Sequence, residues 1–160
     1  MKRAKRSADG RRIPAFALCL TLAFPATAAQ ALIVVNQPWV RPAAAGQSTE
    51  VYMNLTSTDG ATLLAARTDS AAAVTLRRPG SNAQSAAELA LPARTTVELA
   101  PGKYRFWLRR LTRTVNLGDV VALTLTIQGA DGVRLDVAVQ AVARLRSPAD
   151  DERRAHRHRH

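Results

Sequence analysis

The 160-residue chain has one cysteine, Cys19, two methionines, three histidines and few aromatic residues (4%). Each shortage removes a class of function. One thiol near the N-terminus gives no disulfide framework and no thiolate site in the remainder. Histidine is confined to positions 156, 158 and 160. The body therefore cannot assemble a Ser-His-Asp triad or a histidine-based catalytic metal site. With carboxylates Asp59, Asp69, Asp119 and Asp131 all in turn contexts, where Asp has a local backbone role, the reading is that of a non-enzyme. Scarce aromatics leave no base-stacking platform. Charge excludes nucleic acid as well. The formal net charge is +11, but residues 32–143 hold 11 basic and 8 acidic residues, so the excess sits at the two ends rather than on a fold that tracks phosphates.

The basic N-terminal end reads as an export leader. Lys2, Arg3, Lys5, Arg6, Arg11 and Arg12 precede an apolar run, Ile13–Phe24, of about a dozen residues, too short to span a bilayer. Ala26-Thr27-Ala28 and Ala29-Gln30-Ala31 both offer small residues for cleavage; residues 1–31 are assigned as signal peptide, with cleavage after Ala31. Arg11-Arg12 is not followed by the rest of a twin-arginine motif, which favours the general secretory route. Cys19 follows Leu18, where a lipoprotein site needs a small residue, so lipidation is not expected. The processed protein is placed in the periplasm with no stable membrane anchor.

Residues 32–145 read as strands and turns. Ile33–Val40 is apolar with Pro38 as a bend. Glu50–Ser57, Thr95–Leu99, Val120–Ile127 and Val133–Val142 alternate, and Thr62–Arg67 and Ala73–Arg77 are shorter candidates. Lys103–Leu111 sets Tyr104, Phe106 and Leu108 against Arg105, Trp107 and Arg109, with Leu111 out of step. Pro-Gly, Leu-Gly-Asp and Gly-Ala-Asp-Gly punctuate the runs. The pattern predicts one all-β domain, an antiparallel sandwich. Ala83–Ala90 is a candidate helical turn. Ser147–His160, after a Ser-Pro break, reads as a disordered His/Arg-rich tail beginning near residue 146.

Asn36-Gln37-Pro38-Trp39-Val40-Arg41-Pro42, Val51-Tyr52-Met53-Asn54-Leu55, Val74-Thr75-Leu76-Arg77, the approach Val97-Glu98-Leu99-Ala100-Pro101-Gly102 with its following Tyr104, and Leu117-Gly118-Asp119-Val120 together, in order and spacing, resemble the periplasmic copper chaperones of the PCuAC family. The resemblance implies a cupredoxin-like, Greek-key β-sandwich. It also implies partners among periplasmic copper-handling proteins or respiratory oxidase assembly factors. The family holds Cu(I) with His and Met from two segments, soft or borderline donors that suit that ion. Arg77 stands at the first His position, and Arg105 and Trp107 stand at the later His-x-Met pair. Gly80–Glu88, the shortened Met-bearing loop, has neither His nor Met. A guanidinium stays protonated and has no lone pair to give. Met53 is read as a core residue. The expectation is a chaperone scaffold that has lost its Cu(I) ligands.

Two sites remain open. His156, His158 and His160 alternate with arginines, so in an extended chain the imidazoles share one side, suited to Cu(II); the competing reading is a basic solubilising tail. Arg77, Arg105 and Trp107, with Arg78, Arg109 and Arg113, form either a surface for an anionic ligand or protein partner or an ordinary charged strand face.

Overall fold

The computed structural model describes residues 32–80 and 84–157, with the backbone alone for 155–157. The assigned signal peptide lies outside them. The elements are β1 (Ile33–Val40), β2 (Thr49–Ser57), β3 (Ala61–Arg67), β4 (Ala71–Arg77), β5 (Leu89–Leu91), β6 (Thr96–Leu99), β7 (Arg105–Leu111), β8 (Val120–Gly129), β9 (Arg134–Ala143) and α1 (Pro148–Arg157). The strands make one continuous path, β4-β7-β2-β1-β9-β8-β3-β5, with β6 also on β2. The sheet curls so that residues of its two halves, such as Leu63 and Leu125 from one and Phe106 and Leu108 from the other, share a single core. The fold is all-β, as the alternation predicts.

Every paired strand is antiparallel except β1 with β9, where Trp39 and Val40 lie beside Val142 and Ala143. β1 reaches that position through a bulge. Its register with β2 shifts between Asn36 and Trp39, Gln37 takes a φ of 49°, and Pro38, which has no N–H for a ladder bond, occupies the kink. The bend expected at Pro38 is therefore the point where β1 gains its second neighbour.

β8 shows the simplest relation of sequence to burial. Val121, Leu123, Leu125 and Ile127 are buried and their neighbours are not, the period-2 result of pleating. β7 breaks the rule once, and visibly. Phe106, Leu108 and Leu111 are all buried while Arg109 and Arg110 both face solvent. Arg110 has a φ of 48°, and beyond it the Leu111 N–H donates to the Gln47 carbonyl at 2.7 Å. The left-handed backbone at Arg110 returns Leu111 to the core face while Leu111 keeps its register opposite Ala71 of β4.

Two expectations are corrected. Residues 84–90 hold no helical turn: Ser85 bridges to Arg77 and Leu89–Leu91 pairs with β3. Leu89 and Leu91 are buried on alternate positions, and that packing overrides the helix propensity of the surrounding alanines. The segment expected to be disordered from residue 146 contains α1. Its start is well specified. Ser147 is the N-cap, its Oγ accepting from the Ala149 N–H at 3.3 Å; Pro148 occupies the first helical position; Asp150 and Asp151 fill the first turn. A proline there has no N–H to leave unpaired, and carboxylates there favour the helix dipole. The Ser-Pro pair opens a helix instead of ending order.

Candidate functional site

β4, β7 and β2 lie side by side, and their registers build the site. Arg77 is opposite Arg105 and Thr75 opposite Trp107 across β4–β7. Trp107 is opposite Glu50 across β7–β2. Period-2 alternation puts Thr75, Arg77, Arg105, Trp107, Glu50 and Tyr52 on one face. Leu76, Phe106 and Val51 point the other way, into the core.

The structure brings Arg77, Arg105 and Trp107 together, but gives the two arginines different tasks. Arg77 stacks on the indole of Trp107, its guanidinium carbon 4.3 Å from the ring centroid, within cation–π range. Arg105 turns inward. Its Nε donates to Glu50 Oε1 at 2.8 Å, and its Nη1 donates to the carbonyls of Lys103 at 3.1 Å and Arg78 at 3.3 Å. Its side chain is only 12% exposed and that of Glu50 21%. The other Glu50 oxygen accepts the hydroxyl proton of fully buried Tyr52. The Tyr52 ring lies 4.5 Å from that of Trp39, with the Arg41 guanidinium 5.8 Å away. Burial first, and then the hydrogen bond to Glu50, push the Tyr52 phenol well above its usual pKa; its hydroxyl is a fixed donor at neutral pH.

Arg105 is engaged through Nε and Nη1 with carboxylate and carbonyl oxygens, Arg77 is stacked, and neither guanidinium nor indole offers a lone pair to a soft cation. Among the described residues no group of three or more His, Cys, Asp and Glu converges on one point. Met53 is 2% exposed and part of the core. Of the predicted tail positions, His156 sits in the last turn of α1, and His158 and His160 lie outside the described residues. At His156 the backbone is helical.

Glu50 and Tyr52 were not foreseen as members of the cluster. Their i, i+2 spacing was visible on an alternating strand, but not that this strand would lie beside β7.

Residues 33–139, from the start of β1 into β9, match the family model described as "Putative lipoprotein LpqE-like". The chain belongs to the LpqE-like family. No curated protein sequence matches it. Among solved structures, this LpqE-like chain is similar to the apo PCuAC domain from PmoF1, with a TM-score of 0.60 at 21% identity over 70% of this chain and 92% of that one. The copper-bound PCuAC domain from PmoF2 gives 0.58 at 18% identity, over 69% and 91%. Cu(I)-bound DR1885 from Deinococcus radiodurans gives 0.57 at 27% identity, over 74% and 84%. The fold is thus that of the cupredoxin-like PCuAC domains, as the sequence resemblance implies.

Proposed function

We propose that this chain is an exported copper chaperone-like protein of the periplasm. It does not hold Cu(I) on β4 and β7, and it takes up Cu(II) through His156, His158 and His160. One observation carries the reading: a chain 27% identical to Cu(I)-bound DR1885 has its strand site closed by the Arg105–Glu50 pair and the Arg77–Trp107 stack. A copper role then falls to the only histidines, neutral imidazoles being good Cu(II) donors. The partner is a periplasmic copper-handling protein, of which a respiratory oxidase assembly factor is one kind. The chain from Leu32 onward, which contains every described element, is expected to bind one equivalent of Cu(II) in a calorimetric titration and to lose it on deletion of residues 155–160. Equal, negligible uptake by both forms overturns the proposal.

A second reading has its own support. Arg77, Arg78 and Arg109 have no acidic partner within ion-pair distance among the described residues, and Trp107 lies between Arg77 and Arg109 along the face. Here the domain is a metal-free binding module for an anionic ligand or acidic protein segment, with Arg105 in a supporting position because Glu50 neutralises it. Titration with an oligoglutamate peptide is expected to shift the Trp107 indole N–H resonance, and Arg77→Glu/Arg109→Glu to abolish the shift. An unmoved indole signal in the parent protein counts against this reading.

A further inference from the structure

The strand registers collect several loops at one end of the sandwich. β1 ends at Val40 opposite Val51 and beside Ala143, while β8 begins at Val120 opposite Val142. The Gly46 N–H, just before β2, donates to the Leu111 carbonyl at the end of β7. The segments after β1, β7 and β9, and before β2 and β8, therefore form a common cap.

This cap combines exposed aliphatic side chains with arginines. Leu117 is 63% exposed, Val120 46% and Leu145 72%. Leu117 and Leu145 lie on turns and flank a shallow open depression of about 280 Å³ together with Arg144 and Arg146. Beside these residues Asp119 lies 3.5 Å from Arg113, and Asp151 4.0 Å from Arg144; Asp69, in the turn whose carbonyl accepts from the Thr112 hydroxyl, is a third carboxylate at this end. Arg41, Arg110 and Arg146 have no ion-pair partner among the described residues.

We infer that this cap docks reversibly on an anionic phospholipid surface. Large aliphatic residues at turn tips insert among acyl chains without needing a matching pocket, and guanidinium groups pair with headgroup phosphates. An acidic protein partner accounts for the arginines but not for leucines that protrude from turns. The folded residues contain no cysteine and, as described, no helix long and apolar enough to cross a membrane. Docking of this kind is peripheral, side chains inserting and pairing at the interface without a covalent link.

The test is co-sedimentation of the chain from Leu32 onward with vesicles of phosphatidylglycerol and phosphatidylcholine, against vesicles of phosphatidylcholine alone. Binding is expected to the anionic vesicles only and to weaken as salt screens the arginines. Leu117→Ser/Leu145→Ser is expected to lower partitioning about tenfold or more with no loss of melting temperature, because both side chains are exposed in the folded protein. Failure to sediment with anionic vesicles overturns the inference. Undiminished binding by the double variant also overturns it, since charge alone then accounts for adsorption. A self-association that the same variant abolishes, without vesicle binding, assigns the cap to a second copy of the chain and equally overturns it.

Discussion

Replacing Glu50 with alanine is expected to destabilise the domain by about 3 kcal/mol, a fall in melting temperature of about 10 °C. The carboxylate joins two strands through side chains that water barely reaches. Without it, the Arg105 guanidinium, 12% exposed, keeps its charge and its two carbonyl contacts but loses its only counter-ion. The Tyr52 hydroxyl, fully buried, loses its acceptor at the same time. Removing one member of such a pair costs more than the pair contributes, because the survivor stays desolvated. The Arg67–Asp136 pair serves as the control. Its separation is also 2.8 Å, but its side chains are 64% and 48% exposed, and Arg67→Ala is expected to cost under about 1 kcal/mol. Thermal melts of the two variants decide the matter; equal melting temperatures would show that Glu50 stabilises no more than a surface charge.

The larger expected change is a gain of function. Arg77→His, Arg105→His and Trp107→Met, made together, are expected to make this face bind a single equivalent of Cu(I), with a dissociation constant at or below about 1 μM. Positions 77 and 105 are cross-strand partners, with Cβ atoms about 5 Å apart in such pairs. Position 107 follows two residues later on the same face. The present side chains already meet there, as the 4.3 Å Arg77–Trp107 stack shows. Imidazoles and a thioether placed at these positions supply neutral, soft or borderline donors where the parent chain supplies two cations. Competition with a Cu(I) chromophore, on variants shown by circular dichroism to be folded, gives the answer. A folded triple variant that takes up no more Cu(I) than its parent would refute the assignment of these positions as the ancestral site.

What could be read from the sequence, and what could not, divides along local and non-local lines. Val121, Leu123, Leu125 and Ile127 announce a strand because pleating alone sets their period. Leu111, out of step with Phe106 and Leu108, announces an irregularity that the structure explains by the left-handed backbone at Arg110. The closeness of Arg77 and Arg105 was legible only through resemblance to a family. The Glu50–Arg105 pair spans 55 residues and depends on β2 lying next to β7, which no local pattern encodes. The tail helix was missed for a different reason. Ser147-Pro148 with Asp150 and Asp151 carries a complete helix-start signal, but the following residues are polar, so no apolar period drew attention to it.

The parallel seam between β1 and β9 has a consequence for timing. It joins Trp39 to Val142, nearly the first and nearly the last residues of the sheet. A sheet whose two halves are joined by its first and last strands is rich in distant pairings, and such topologies fold slowly because loop entropy is lost before the contacts form. Until Val142 and Ala143 are in place beside Trp39 and Val40, the β4-β7-β2-β1 half and the β9-β8-β3-β5 half share no strand ladder.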